Sequence, residues 1–151
     1  MPSEASPDLA HLLSHAERRL GRRLSALLAQ EGCSVEEWRV LSIAADGHGH
    51  PMTEIADHAL MPAPSLTKLV DRMVAGNLVH RRPDPADRRR VLLYLTPRGR
   101  ILHDRAAKRV HADQSELLAA IDDHGELTRL LLLLTAALED RQIAAHPLKH
   151  P

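Results

Sequence analysis

Between Leu78 and Thr96 the chain reads Leu-Val-His-Arg-Arg-Pro-Asp-Pro-Ala-Asp-Arg-Arg-Arg-Val-Leu-Leu-Tyr-Leu-Thr, two short apolar stretches separated by a proline-punctuated, arginine-rich loop. No other segment restricts the fold so tightly. Proline has no amide to donate, so Pro83-Asp84-Pro85 cannot lie inside a paired strand, and the apolar stretches become the arms of a long-looped hairpin. Its tip carries Arg88, Arg89 and Arg90. Directly upstream, Gly76-Asn77 ends a helix, because Gly, and Asn nearly as well, accepts the left-handed backbone of a chain reversal. A cationic hairpin placed straight after a helix points to nucleic acid as the partner.

The rest of the chain reads as helix. Leu9, Leu12, Leu13, Ala16, Leu20, Leu24, Leu27 and Leu28 recur at three- and four-residue steps and predict a long helix with one apolar stripe, ended by Gly32. Ser34 and Glu37 have the spacing of a capping box, in which each side chain satisfies the other residue's free amide. They open a second helix whose buried side is expected to be Val35, Trp38, Leu41 and Ala45. Asp46 to Pro51, with two Gly and one Pro, is expected to be loop.

A short helix from about Met52 to Ala59, with Ile55 and Ala56 inward, precedes another from about Ala63 to Ala75. Leu66, Leu69, Val70 and Met73 line the inner side of the latter, so Ser65, Thr67, Lys68, Asp71 and Arg72 project from the other side. Thr96 caps, and Pro97 opens, a helix running to about Ile121. Asp122 to Gly125 breaks the chain, and Glu126 to about Ala144 forms a last helix carrying Leu127, Leu130, Leu131, Leu134 and Leu138. Residues 1 to 8 are expected to be a loose arm, and Pro147 to Pro151 a frayed tail.

Aromatic residues make up only 1% of the 151, with no Phe, so the core has to be built from Leu, Ala, Val and Ile, which favour helices. A hydrophobic share of 44% beside 26% charge indicates a folded globular chain, long enough for one domain with a real core. No apolar run approaches the roughly 20 residues of a membrane span. Met1-Pro2-Ser3-Glu4 has neither a basic start nor an apolar export segment, so no membrane association and a cytoplasmic location are expected. Net charge is zero, but residues 62 to 100 hold nine Lys and Arg against three Asp, a local +6 that leaves −6 for the remainder. Such an asymmetry steers phosphate to one face while limiting indiscriminate adhesion.

The wing residues also carry a family resemblance. Asp87, Arg89, Leu95 and Thr96 fit the Asp-x-Arg followed, after five residues, by Leu-Thr that marks the wing of the multiple-antibiotic-resistance regulator (MarR) family. Glu54-Ile55-Ala56 and Thr67 to Met73 resemble that family's two helix-turn-helix segments. Two positions depart from its pattern: Pro62 stands where a capping Ser is common, and Leu60 where the turn often has Gly. The resemblance implies a mainly α fold, a winged helix-turn-helix with a small β-hairpin wing and a helical dimerisation lobe. It also implies a two-fold homodimer with interlocked terminal helices, acting as a sequence-specific regulator of transcription, usually a repressor, on a palindromic double-stranded operator. Three regions of a single compact domain follow: residues 1–33 as arm and dimerisation helix, 34–96 as the winged DNA-binding lobe, and 97–151 as C-terminal dimerisation helices.

Within that reading, Ser65 and Thr67 would bond bases or phosphates, and Lys68 and Arg72 guanine edges or phosphates, from a recognition helix in the major groove. On the wing, Arg89 matches the arginine that enters the narrow minor groove, where a guanidinium sheds water more easily than an ammonium. Asp87 looks like its orienting partner, and Arg88 and Arg90 would face phosphates or an acidic neighbour. A small-molecule effector is a further partner that the resemblance allows, in a crevice that Trp38, Leu41, Arg19 and Arg23 would border.

Rival chemistries have less behind them. Cys33 is the sole cysteine, so no intrachain disulfide is available, and it reads as a small half-buried hydrophobe. Eleven His invite a metal, yet His48-x-His50 and the pair His103 and His111 supply no three-ligand set, so no metal and no cofactor are expected. No nucleophile elbow, P-loop or dinucleotide fingerprint argues for an enzyme. The competing class is a helical dimer acting as a small-molecule or metal-binding enzyme or adaptor that does not read DNA.

Overall fold

A computed structural model describes residues 8–121 and 124–145. The expected arm before Asp8, Asp122-Asp123 in the expected break and the expected tail from Pro147 lie outside the described residues. Among the described residues six helices and three short strands follow in the order α1 (Leu9–Ala29), α2 (Val35–Ala44), β1 (His50–Pro51), α3 (Met52–Ala59), α4 (Ala63–Ala75), β2 (Val79–Pro83), β3 (Val91–Leu95), α5 (Pro97–Ala120) and α6 (Glu126–Ala145). Two compact units emerge, one up to His111 and the other from Ala112. Among the described residues no helix is long and apolar enough to cross a membrane.

The helix ends form where side chains satisfy the orphan amides. Asp8 accepts from the Ala10 amide at 3.1 Å at the start of α1. Both halves of the Ser34/Glu37 capping box are made, at 3.0 and 2.9 Å, and start α2. Thr96 accepts from the Gly99 amide at 3.0 Å and Pro97 takes the first position of α5. After α4 the left-handed residue is Asn77 (φ 54°), while Gly76 keeps φ −79°. The reversal closes through the Leu78 amide bonding the Met73 carbonyl at 2.9 Å, which puts the left-handed position one residue past the cap.

The core of the first unit gathers around α4. Leu66, Leu69, Val70 and Met73 are all buried, as their spacing predicts, against Leu28, Leu41, Ile55, Val79 and Leu93. Burying each such side chain contributes about 1.5–3 kcal/mol. On α2 the buried residues are Val40, Leu41 and Ala44, with Val35, Trp38 and Ala45 only partly covered. This helix packs against α1, α3, α4 and β3, so a wider face is covered than a single stripe predicts.

The sheet has the order β1-β3-β2, antiparallel throughout. β1 was not expected: His50 and Pro51 pair with Leu93 and Leu92 where loop was anticipated. Two residues carry no periodicity, and an edge position tolerates Pro because no outward amide is needed. Pro83 ends β2 opposite Val91, at the other edge and outside the strand interior.

A histidine clasp holds β1 to α3. His50 Nε2 lies 2.9 Å from both Asp46 carboxylate oxygens and Nδ1 lies 3.0 Å from Glu54 Oε2. A carboxylate only accepts, so both bonds are satisfied together only by the doubly protonated ring. Burial of the ring opposes that charge, but the Glu54 and Asp46 carboxylates outweigh it and raise His50 above its ordinary 6.5. The His48 amide, with His50 adding to it, holds Asp46 below the usual carboxylate range. Because the folded state binds the His50 proton more tightly than the unfolded chain, this contribution is complete below pH 6.5 and is lost as pH rises through the elevated value. Accordingly, His50→Gln should lower the melting temperature at pH 5.5 and make little difference at pH 9, as followed by circular dichroism. Equal losses at both pH values would show that the ring's shape, not its charge, matters.

Candidate nucleic-acid interface

The first unit brings the outer side of α4 and the β2–β3 wing onto one lobe. Ser65, Thr67, Lys68 and Arg72 are all exposed. Thr67 donates its hydroxyl proton to the Ala63 carbonyl at 3.0 Å, so it retains only acceptor capacity. Arg72 lies further along the helix and lines a cleft of about 650 Å³ shared with Glu31, Glu37, Arg98 and Arg105. Asp71, which also points outward, accepts from Arg81 Nη2 of β2 at 2.7 Å, an ion pair that ties the wing to α4.

The wing tip is shaped by its own aspartates. The Asp84 amide donates to the Arg90 carbonyl at 2.9 Å and closes the loop, while Asp84 Oδ1 accepts from the Ala86 amide at 2.9 Å. Asp87 Oδ1 accepts from the Arg89 amide at 3.0 Å, and the Arg90 amide donates to the Asp87 carbonyl at 2.9 Å. Asp87 therefore orients Arg89 through the main chain, leaving the guanidinium unengaged by that carboxylate. Arg90 turns back toward Asp84 at 3.9 Å. Among the described residues no hydrogen bond or ion pair engages the exposed Arg88 and Arg89 side chains. The three aspartates of the segment are thus engaged in shaping it, and the Arg88 and Arg89 guanidiniums are left exposed at the tip.

Two cations fell outside the expected site. Arg81 pairs with Asp71, and the exposed Arg82 lies over the Tyr94 ring with its guanidinium carbon 5.8 Å from the centroid. His80, two residues earlier on β2, stacks on the same Tyr94 ring at 5.6 Å. Their signal was present in the charge count of residues 62 to 100, but which of the nine cations flank the helix depends on strand register.

Other candidate chemistries are engaged elsewhere. Cys33 is buried, its thiol donates to the Ser34 carbonyl at 3.4 Å, and burial, with the Glu37 charge adding to it, pushes its pKa up to about 12. At neutral pH it is a thiol and not a nucleophilic thiolate. His103 stacks on Trp38 at 5.4 Å and bonds Asp104 at 2.9 Å. His11 and His15, a helical i,i+4 pair that was passed over in the sequence, stack at 6.3 Å, and His15 accepts from Arg19 at 3.0 Å. Among the described residues no three His, Cys, Asp or Glu side chains assemble as a metal-binding group. Leu41, expected to border an effector crevice, is instead wholly inside the core.

Known proteins share this fold. A MarR family model matches residues 24–90. The HTH-type transcriptional regulator FarR of Neisseria gonorrhoeae is 28% identical over 121 residues, 80% of this chain and 80% of FarR. A MarR family transcriptional regulator from Silicibacter pomeroyi DSS-3 superposes with a TM-score of 0.79 at 29% identity, covering 90% of this chain and 98% of that one. The transcriptional repressor CouR, bound to a 23-mer DNA duplex, gives 0.72 at 26% identity over 93% of this chain and 97% of its own. Fold, exposed helix and cationic wing together define a DNA-binding transcriptional regulator of the winged helix-turn-helix class. The family that the chain resembles in these comparisons is MarR.

Proposed function

We propose that two copies of this chain form a homodimeric repressor of a near-palindromic operator, with α4 of each copy in a major groove and Arg89 of each wing in the adjacent minor groove. The observation that carries the reading is the pair of unengaged arginines, Arg88 and Arg89, on a loop tied by Arg81 and Asp71 to the helix whose outer side offers Ser65, Thr67 and Lys68. Arg72 and Arg90 reach phosphates from the margins. Two-fold symmetry would set the helices in successive major grooves about 34 Å apart.

Dimerisation is supported by apolar surface that one chain leaves open. Leu9, Leu12 and Leu20 on α1 are 47–56% exposed, and Leu130, Leu132, Leu133 and Leu138 on α6 are 49–67% exposed. Side chains of this kind at helical spacing are ordinarily covered by a partner subunit. Sedimentation should give twice the chain mass, and the protein should retard DNA from around its own gene over unrelated DNA. A single-chain mass, or equal retardation of every fragment, would refute the reading.

A further inference from the structure

We infer that the leading half of α4 reads thymine by its methyl group, an inference that rests on the DNA-reading role proposed above. Leu60, Ala63, Pro64 and Thr67 follow one another at steps of three, one and three residues, and all four are exposed. Within α4 that spacing sets Ala63, Pro64 and Thr67 on one face, and Leu60 is the exposed left-handed residue that ends α3 in the turn just before it. Leu60 is 76% exposed, the largest value among the exposed large hydrophobic residues.

On this face the same end of the helix has few donors, the Ser65 hydroxyl being the exposed polar side chain of the first turn. Pro62 caps it without a side-chain hydrogen bond, and neither Pro62 nor Pro64 has an amide proton. The Leu66 amide is already given to the Pro62 carbonyl at 3.0 Å. Thr67 has spent its hydroxyl proton on Ala63, which leaves its methyl as the apolar part of the face. Phosphate or purine recognition needs donors, and this face offers mostly carbon. In the major groove the one base feature that matches carbon is the thymine 5-methyl. Polar contacts to purines or phosphates fall to Ser65, Lys68 and the residues further along α4, and the methyl contacts fall to the carbon-rich face at its start.

The test uses a duplex selected by the purified protein from a randomised pool, resynthesised with uracil in place of each thymine in turn. Uracil pairs as thymine does and lacks only the methyl. Binding should weaken about three- to tenfold at one or two positions in each half-site and stay unchanged elsewhere. The Leu60→Gly and Pro64→Ser variants should lose that discrimination at matching positions, a coupling that separates direct contact from altered duplex shape. Leu60→Gly also serves as its own folding control: Leu60 holds φ 56°, a conformation natural to Gly, so its melting temperature should not fall. Equal binding of thymine and uracil duplexes at every position, with Lys68→Ala still weakening binding, would overturn methyl reading and leave DNA reading intact. Failure to select any duplex would overturn both.

Discussion

Arg89→Ala is expected to weaken operator binding by roughly 10- to 100-fold, the range that loss of a hydrogen-bonded charge produces, while leaving the melting temperature nearly unchanged. Arg89 is exposed at the wing tip, its side chain engages no described residue, and exposed positions away from packed features usually shift stability by less than about 0.5 kcal/mol. Its backbone amide, held by Asp87, survives the substitution, so the loop keeps its shape. Arg88→Ala supplies the comparison. As a phosphate contact alone, Arg88 should weaken all sequences alike and reduce the salt slope by about one unit. Gel shifts at several salt concentrations distinguish the two residues. Unchanged affinity in Arg89→Ala would remove the wing from the mechanism.

Gly99→Ala is expected to destabilise the fold by roughly 2–4 kcal/mol, lowering the melting temperature by roughly 10 °C. Helix propensity predicts the opposite sign, since Ala favours a helix interior over Gly by about 1 kcal/mol. The added carbon would stand 1.9 Å from the Leu78 carbonyl oxygen and 2.9 Å from its carbon. Those atoms are backbone and cannot yield: the Thr96 amide bonds the Leu78 carbonyl at 3.0 Å, and the Thr96 hydroxyl lies 2.6 Å from the Asn77 carbonyl and 3.1 Å from that of Leu78. The Leu95-Thr96 end of the wing is therefore also the fastening of the α4–β2 turn to α5. Thermal unfolding of Gly99→Ala at equal or higher temperature than the native protein would disprove this close approach.

Much of the architecture was legible from spacing. The span Ala63–Ala75 and its four inward residues emerged from helical periodicity, as did the caps at Ser34 and Thr96, because both depend on neighbours within one or two turns. Outward positions on α4 followed as the complement of the buried ones. Pairings distant in sequence were not legible. Arg81 with Asp71, Arg105 and Arg109 on Glu31, and Arg100 on the Ala45 carbonyl each join elements whose relative placement no local pattern encodes. The guanidiniums of Arg109 and Arg105 hold Glu31 below its ordinary pKa and fasten the α1–α2 turn onto α5.

Local order along the chain was enough to specify helices, caps, a hairpin and a cluster of positive charge, since each arises from contacts a few residues apart. Tertiary structure alone decided which cations remain unpaired, why residue 99 admits no side chain, that Asn77 and not Gly76 reverses the chain, and that His50 bridges two carboxylates. Those outcomes turn on ångström-scale approach between separate elements, where one oxygen atom reverses the sign that propensity assigns.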